Sequence, residues 1–230
     1  PVYSHGTAAS LLALPLFRFD DRWVHTLVQA ESTTRSTGVV RRHRGVFTEE
    51  DLQMSAGLIH TGIIRTTIDI ARPAGFGSGL VTAEGAMRRL ARERRKSGDE
   101  VRTALLERLE ELPRSRGYAR ACRMLNFADV LSESPLESLA RLQLERLGFA
   151  VRQQVPVPGP NGETYRMDFE LVGLRVFVEV DGRQKYVGEG MRDGLTVDEV
   201  VLREKAREDW VRGTQNYRVV RAGWEHAMGC

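Results

Sequence analysis

Two acidic residues occur in a segment whose apolar alternation predicts a β-hairpin, residues 165–186. Strand alternation puts Asp168 on one face of the first strand and Glu179 on one face of the second. With a two-residue turn at Val172–Gly173, Glu179 becomes a diagonal neighbour of Asp168, within about 7–8 Å. Two carboxylates this close repel each other unless a cation lies between them, and Mg²⁺ binds carboxylates, water and phosphate. The hairpin therefore predicts metal-assisted cleavage of a phosphodiester.

A second interpretation of the same acids stays open at this point. The hairpin can instead lie on a solvated sheet face, where its carboxylates pair with nearby guanidinium groups. The arginines close enough in sequence are Arg166, Arg175 and Arg183. Residue spacing alone does not separate an ion-pairing surface from a metal site.

The elements around the hairpin predict the order α-β-β-β-α-β for the second half of the chain. Leucines at helical spacing predict an amphipathic helix over residues 131–149. The other predicted elements are strands at 151–157 and 217–224 and a helix at 201–215. The first half is predicted to be a smaller mixed α/β domain with a helical connector, residues 1–127, followed by a second domain over 128–230.

The first half contains shorter periodic segments. Residues 4–14 predict a helix ended by Pro15, and a further helix begins at about Arg65 after an extended stretch. The remaining predictions are strands at 23–30 and 38–45, around a polar turn, and helices at 78–97, 100–112 and 115–127. Together these elements give an α/β (α+β) fold class.

The acids and elements of residues 131–226 resemble the PD-(D/E)xK nuclease superfamily, and most closely its very-short-patch-repair-like small endonuclease domains. The segments that carry the resemblance are "SPLES", "RQQVPV", "MDFEL", "VEVDGRQKY", "LREKAREDWVR" and "YRVVRAGW". The resemblance implies a restriction-endonuclease-like core with Mg²⁺ or Mn²⁺ as cofactor. It also implies that the metal ligands are Asp168, Glu179 and the carbonyl of Val180.

One position departs from the superfamily pattern. The lysine expected two residues after Glu179 is Asp181 here, and an acid cannot supply the positive charge that orients the attacking water. We expect Asp181 to lie near the metal or to orient a partner. The replacement candidates are Lys185, favoured by its position after the strand, and then Lys205, which is better explained as one charge on a solvated helix face.

Three further residues are candidates for this site or for substrate binding. Ser134 and Glu137 fit a helix capping box, and the first-helix glutamate of the superfamily can also face the metal. Gln154, on the first core strand, is expected to touch substrate or to pair with the hairpin. Arg207, on the last long helix, is expected to contact phosphates or to pair with neighbouring acids.

Basic residues suggest further nucleic-acid contacts. Arg183 follows the hairpin, while Arg42 and Arg92 belong to two basic runs in the first half. Such runs give salt-sensitive binding to phosphates, although they are more often solvated faces. The formal net charge of +3 permits nucleic-acid binding without requiring it.

Residues 1–90 resemble the region after the winged helix in AbiEi-type antitoxins. The matching segments are "SHGTAASLLALPL", "VHTLVQA", "RRHRG" and "IIRTTIDIAR". The resemblance implies a cognate toxin or another protein partner. Because the chain starts at Pro1 without the winged helix, we expect further sequence upstream.

The composition of the 230 residues excludes several classes. Two cysteines without a CxxC pair exclude a cysteine-rich zinc site and a disulfide framework, and no apolar run approaches membrane-span length. We therefore expect a cytoplasmic protein with no membrane partner, possible self-association and DNA as its partner. The leading hypothesis is a metal-dependent endodeoxyribonuclease in prokaryotic defence, toxin–antitoxin or repair. The alternatives are an inactive nuclease-like module that binds DNA or a toxin, and an RNA-cleaving enzyme.

Overall fold

The computed structural model describes residues 1–180, 206–207, 209–213 and 216–227. The chain divides into two compact units, Pro1–Pro135 and Leu136–Cys230, where the sequence places a domain boundary near residue 128. Each unit contains its own mixed sheet and helices, which confirms the predicted α/β (α+β) class. Among the described residues, no helix combines the length and apolarity needed to cross a membrane.

The first unit contains a five-stranded sheet of order β3-β2-β1-β5-β4. Its strands are β1 Val2–Tyr3, β2 Val24–Val28, β3 Val40–Arg44, β4 Leu52–Ser55 and β5 Leu58–Thr61. Strands β2 and β3 both form where the sequence predicts them, but they pair in parallel. Residues 29–39 therefore form a crossover connection, because only antiparallel neighbours can be joined by a tight turn.

Five helices accompany this sheet: α1 His5–Leu11, α2 Ile63–Ala71, α3 Phe76–Arg94, α4 Gly98–Glu111 and α5 Tyr118–Phe127. A capping box starts α4, since Ser97 accepts from the Glu100 amide and Glu100 accepts from the Ser97 amide. The helices bury apolar side chains, among them Leu80, Met87 and Leu105. A short 3-10 helix, Glu49–Asp51, precedes β4.

The second unit has a four-stranded sheet of order β6-β7-β8-β9. Its elements are α6 Pro135–Arg146, β6 Val151–Pro158, β7 Thr164–Leu171, β8 Val176–Val180, β9 Arg218–Ala222 and α7 Trp224–Ala227. Strands β6, β7 and β8 are antiparallel, whereas β9 is parallel to β8. The described parts of residues 206–213 are helical, so the order is the predicted one with α7 added. A 3-10 helix, Pro160–Gly162, lies between β6 and β7.

Apolar side chains from this sheet and the 206–213 helix form one core. Its buried members are Val155, Val157, Met167, Phe177, Val211 and Val219. Tyr217 stacks on Phe177 with ring centroids 4.4 Å apart. This packing fixes the helix against the sheet, and Arg207 belongs to the same helix.

The turn between β7 and β8 differs from the predicted one. Leu171 pairs with Val176, so residues 172–175 form the connection, and the prediction of a two-residue turn is wrong. Gly173 has φ +83°, which is the value a type II turn requires at its third residue. A two-residue hairpin turn needs positive φ at its first central residue, which the β-branched Val172 avoids.

Candidate functional site

Asp168 on β7 and Glu179 on β8 are close enough to interact, since the charge of Asp168 adds to burial in raising the pKa of Glu179. The register of the two strands runs from Leu171 with Val176 to Phe169 with Val178 and ends one residue before each acid. The longer turn shifts the pairing by two residues from the predicted register, so Phe177 lies opposite Glu170 instead of Asp168.

The Asp168 carboxylate is held by the backbone of β8. Its Oδ2 accepts a hydrogen bond from the Val180 amide at 2.7 Å. A charged acceptor makes a stronger bond than a neutral one, so this contact fixes the orientation of the carboxylate. The predicted role of the Val180 carbonyl as a metal ligand stays a prediction, since the contact seen here is made by the amide.

Glu179 is a partly buried carboxylate whose ionisation is disfavoured. Burial and then the negative charge of Asp168 raise the pKa of Glu179 to about 7, although Arg207 and Arg221 act to lower it. Nη2 of Arg207 donates to Oε1 of Glu179 at 2.6 Å and to the Arg166 carbonyl at 2.8 Å. The attraction of Arg207 therefore does not cancel the cost of placing two carboxylates side by side.

Gln154 connects this pair of acids to helix α6. The β6–β7 pairs Gln153 with Phe169 and Val155 with Met167 lie on either side of Gln154 and Asp168. Gln154 has φ +50°, a left-handed conformation that is uncommon for a residue other than glycine. Its Nε2 donates to Oε2 of the buried Glu137 at 3.1 Å.

Gln154, Asp168 and Glu179 thus form a row across three neighbouring strands, and the fourth strand completes it. Arg221 on β9 is the register partner of Glu179 on β8. We call the set of Glu137, Gln154, Asp168, Glu179, Arg207 and Arg221 the carboxylate row. Strand order and parallel register set the place of Arg221, so sequence reasoning missed it. The apolar pattern of "RVVRA" could have indicated only which face of the strand carries Arg221.

The remaining predicted site residues fall into two groups. Asp181, Arg183, Lys185 and Lys205 lie outside the described residues. Two more belong to the first unit: Arg42 is on β3, where its Nη1 donates to the Arg35 carbonyl, and Arg92 is an exposed residue near the end of α3. Of the predicted nucleic-acid contacts, the structure brings Gln154 and Arg207 to the acids.

The oxygen donors of the row are compatible with a hard divalent cation. Within the described part of the chain, no three acidic, histidine or cysteine side chains converge as a metal-holding group. Mg²⁺ nevertheless needs only one or two protein carboxylates, because it keeps several waters and takes further oxygens from phosphate. A cation beside Asp168 and Glu179 would also offset the repulsion that adds to burial in raising the pKa of Glu179.

Comparison with known proteins identifies distant relatives. The chain is 27% identical over 220 residues to "Uncharacterized protein MT2308" of Mycobacterium tuberculosis strain CDC 1551 / Oshkosh. It has the same identity to "Uncharacterized protein Rv2248" of Mycobacterium tuberculosis strain ATCC 25618 / H37Rv. Each alignment covers 89% of this chain and 77% of the relative. No family model and no solved structure matches the chain.

Proposed function

We propose that the second unit is a Mg²⁺- or Mn²⁺-dependent endonuclease that hydrolyses DNA phosphodiesters. The observation that carries the proposal is a pair of neighbouring carboxylates: Asp168 accepts from the Val180 amide, and its charge adds to burial in raising the pKa of the nearby Glu179 to about 7. Acids with strongly perturbed pKa values cluster at functional sites, because catalysis and ligand binding depend on such shifts. The resemblance to PD-(D/E)xK nucleases suggests a setting in prokaryotic defence, toxin–antitoxin function or repair.

The proposed mechanism assigns a separate task to each residue. Asp168 and Glu179 would hold the cation, and the Val180 amide keeps Asp168 in position. When bound, the cation polarises a phosphoryl oxygen and acidifies a water. Arg207 supplies positive charge beside the acids, where a phosphate in the act of cleavage gains negative charge.

Arg207 is also a substitute for the missing lysine of the superfamily pattern. Its guanidinium already lies within hydrogen-bonding distance of Glu179, while Asp181 occupies the sequence position of that lysine. Arg207 has several donors on one planar group, so it can contact Glu179 and a phosphate oxygen together. Lys185 and Lys205 remain candidates for the same role from the sequence.

Gln154 on β6 and Glu137 on α6 would hold the neighbouring acids in position without binding the cation themselves. The hydrogen bond from Gln154 Nε2 to Glu137 Oε2 links β6 to α6 beside Asp168. Hydrogen-bonded neighbours of a reacting group fix its geometry, and their loss lowers activity without removing a ligand. Glu137 is therefore proposed as a positioning residue, in place of the direct catalytic role that the resemblance permits.

A cleavage assay tests the proposal. Purified full-length chain is incubated with supercoiled plasmid, linear duplex, single-stranded DNA and RNA, each with Mg²⁺, Mn²⁺ or EDTA. We expect metal-dependent cutting of DNA that is lost in Asp168→Asn and retained in Glu163→Gln, a matched control acid in the same unit. Absence of cutting on every DNA form, or equal cutting by Asp168→Asn, would disprove the proposal. Preferential cutting of RNA would mean that the substrate of the proposed enzyme is RNA instead of DNA.

A second candidate function is an inactive nuclease-like module that binds DNA or a toxin. The observation that favours it is internal satisfaction of the acids, since Glu179 pairs with Arg207 and Asp168 with the Val180 amide. Titration with Mn²⁺ separates the two. The enzyme should bind the ion through Glu179 and lose that binding in Glu179→Ala, whereas the inactive module should show no carboxylate-dependent binding.

A further inference from the structure

The first unit contains a basic cavity that the proposed nuclease function does not use. Its volume is about 800 Å³, within the range of small-molecule sites. Strand β3, the end of α2, the loop after α4 and the start of α5 all contribute to its wall. The arginines that line it are Arg42, Arg44, Arg65, Arg72, Arg116 and Arg120. Asp69 is the one acidic residue among its lining residues.

Backbone carbonyls hold several of these guanidinium groups in place without neutralising them. Arg44 Nε donates to the Ser32 carbonyl at 2.7 Å, and Arg120 Nη1 donates to the Ala74 carbonyl at 3.0 Å. Arg42 Nη1 likewise donates to the Arg35 carbonyl at 2.5 Å. A carbonyl orients an arginine but leaves its full positive charge. The cavity therefore concentrates oriented cations, which a solvated basic surface does not do.

Arg65 forms the buried base of the cavity and is already paired. It donates from Nε to Asp69 Oδ1 at 2.9 Å and from Nη1 to Asp51 Oδ2 at 3.2 Å. Its side chain is 5% exposed. These contacts give Arg65 a structural role. None of the other five lining arginines forms a direct ion pair with a described carboxylate, although Asp69 attracts the charge of Arg72 at longer range.

Arg72 and Arg116 have hydrogen-bonding capacity to spare. Nε of Arg72 is buried and has no acceptor among the described residues, while its Nη2 donates to the Pro113 carbonyl at 3.2 Å. Nη1 of Arg72 is not fully buried and makes no hydrogen bond with a described residue, so it can donate to an anion in the cavity. Arg116 is exposed and makes no hydrogen bond or ion pair with a described residue.

The loop that carries Arg116 is held tightly against Arg72. Gly117 has φ +89°, and a Cβ added there would lie 2.1 Å from the Arg72 carbonyl oxygen. Only glycine fits this close approach. The two arginines with spare donors are therefore brought to the same wall by a rigid turn.

Two imidazole rings complete the cavity beside the arginines. Asp69 presents no acceptor to a ligand, because its Oδ1 is paired with Arg65 and its Oδ2 is fully buried. His5 and His43 stack with centroids 3.6 Å apart in the same lining. Burial above all lowers the pKa of both rings to about 3, so the positive charge comes from the arginines.

We propose that this cavity binds a small phosphate ester of nucleotide size, whose phosphate is held by Arg72 and Arg116. The site belongs to the first unit alone and is independent of the carboxylate row. Its cation-rich, concave wall suits a compact phosphorylated molecule, whereas a nucleic-acid backbone is expected to bind along an open groove.

Calorimetric titration of the full-length chain in EDTA tests the proposal. The probes are AMP, ATP, ribose 5-phosphate and inorganic phosphate, each compared with sodium sulfate at equal ionic strength. We expect AMP or ATP to bind more tightly than phosphate, and sulfate not to compete at equal concentration. Arg116→Gln and Arg72→Gln should each weaken nucleotide binding by at least about tenfold, since a hydrogen bond to a charged group is lost.

Arg94→Gln is the matched control, because Arg94 is an exposed arginine without described partners and lies outside the cavity lining. Its nucleotide affinity should equal that of the parent. Arg116→Gln carries the test even if Arg72→Gln fails to fold, because the exposed Arg116 side chain has no partner to lose. The proposal is overturned if no probe binds at millimolar concentration or if Arg116→Gln binds as tightly as Arg94→Gln. Binding of an oligonucleotide without binding of any mononucleotide would also overturn it.

Discussion

The surroundings of a carboxylate shift its pKa in opposite directions in the two units. In the first unit, Asp51 receives hydrogen bonds from both Arg65 and Arg108. Burial opposes its ionisation, but the contacts with Arg108 and Thr48 and the charge of Arg65 outweigh burial and lower the pKa of Asp51. In the second unit, Glu179 shares its surroundings with another acid, and its pKa rises to about 7.

This difference separates an acid that stabilises a fold from one that is available for chemistry. Asp51 carries one negative charge and contacts two guanidinium groups, so its ionised form stabilises the folded first unit. Burial and the charge of Asp168 together outweigh Arg207 and Arg221 at Glu179, so its ionised form is disfavoured in the folded second unit. The balance between burial and neighbouring charges therefore differs between the two acids.

The largest expected effect follows from removing one charge of the carboxylate row. Glu179→Gln should lower metal-dependent cleavage by about 10³-fold, since several kcal/mol of transition-state stabilisation depend on the cation. The double variant with Asp168→Asn should lose little more, because both side chains would hold the same ion. Cleavage rates on one DNA substrate measure both effects. If the losses in transition-state stabilisation from the two substitutions add, the two acids act separately. The difference between this pair of acids and Asp51 would then not hold.

The second prediction concerns the histidine stack of the first unit. The pKa of His5 and of His43 falls from 6.5 to about 3 on folding, chiefly through burial. The unfolded chain therefore binds these protons first, and stability is lost as pH falls from 6.5 towards 3. Each ring should contribute about 1.4 kcal/mol of unfolding free energy per pH unit in this range.

Urea denaturation between pH 7 and pH 5 measures this slope. Trp23 is the one tryptophan of residues 1–135, so its fluorescence reports on the first unit once Trp210 and Trp224 are replaced by Phe. His43→Gln should reduce the slope. A slope that His43→Gln leaves unchanged would mean that the ring does not titrate on unfolding.

The third prediction tests the cations around Asp51. Arg108→Met leaves that carboxylate with Arg65 alone, and we expect a loss of about 2 kcal/mol, below the value for a fully buried pair because Arg108 is 23% exposed. The same denaturation experiment at pH 7 measures it, with Arg94→Met as the control. A loss no greater than that of the control would mean that Asp51 needs only one partner.

The smallest effect is expected at Glu170, a further buried acid of the second unit. Glu170 pairs with Arg152, whose side chain is 63% exposed, and accepts from the Tyr217 hydroxyl at 2.8 Å. Arg152→Ala should cost less than about 0.5 kcal/mol, because solvent screens an exposed ion pair. Tyr217→Phe should cost about 1 kcal/mol. Thermal unfolding of the two variants ranks them, and the reverse order would contradict the assignment.

The sequence predicts elements well wherever the signal is local. The leucine spacing indicates helix α6, Pro135–Arg146, inside the predicted 131–149, and apolar alternation indicates both strands of the hairpin. The register of the hairpin could also have been predicted from the sequence. A two-residue turn requires positive φ at its first central residue, and a β-branched residue such as Val172 disfavours that conformation.

Contacts between distant segments were beyond the sequence. Arg221 joins the row only because β9 is parallel to β8 in a particular register, and neither orientation nor register is encoded within the strand itself. Arg207 could be predicted as a basic residue but not as the partner of Glu179. The basic cavity likewise collects arginines from residue 42 to residue 120, with no motif to connect them.

Gln154 offers an evolutionary reading of the carboxylate row. Its left-handed backbone is the conformation that glycine and asparagine adopt most easily, so a glutamine there carries a conformational cost. Its side chain donates to Glu137, a contact that glycine cannot make. Among diverging descendants of this chain, we expect glycine or asparagine to replace Gln154 first in those lineages that also lose Asp168 or Glu179. A lineage that lost the proposed cleavage activity would then also lose this backbone strain.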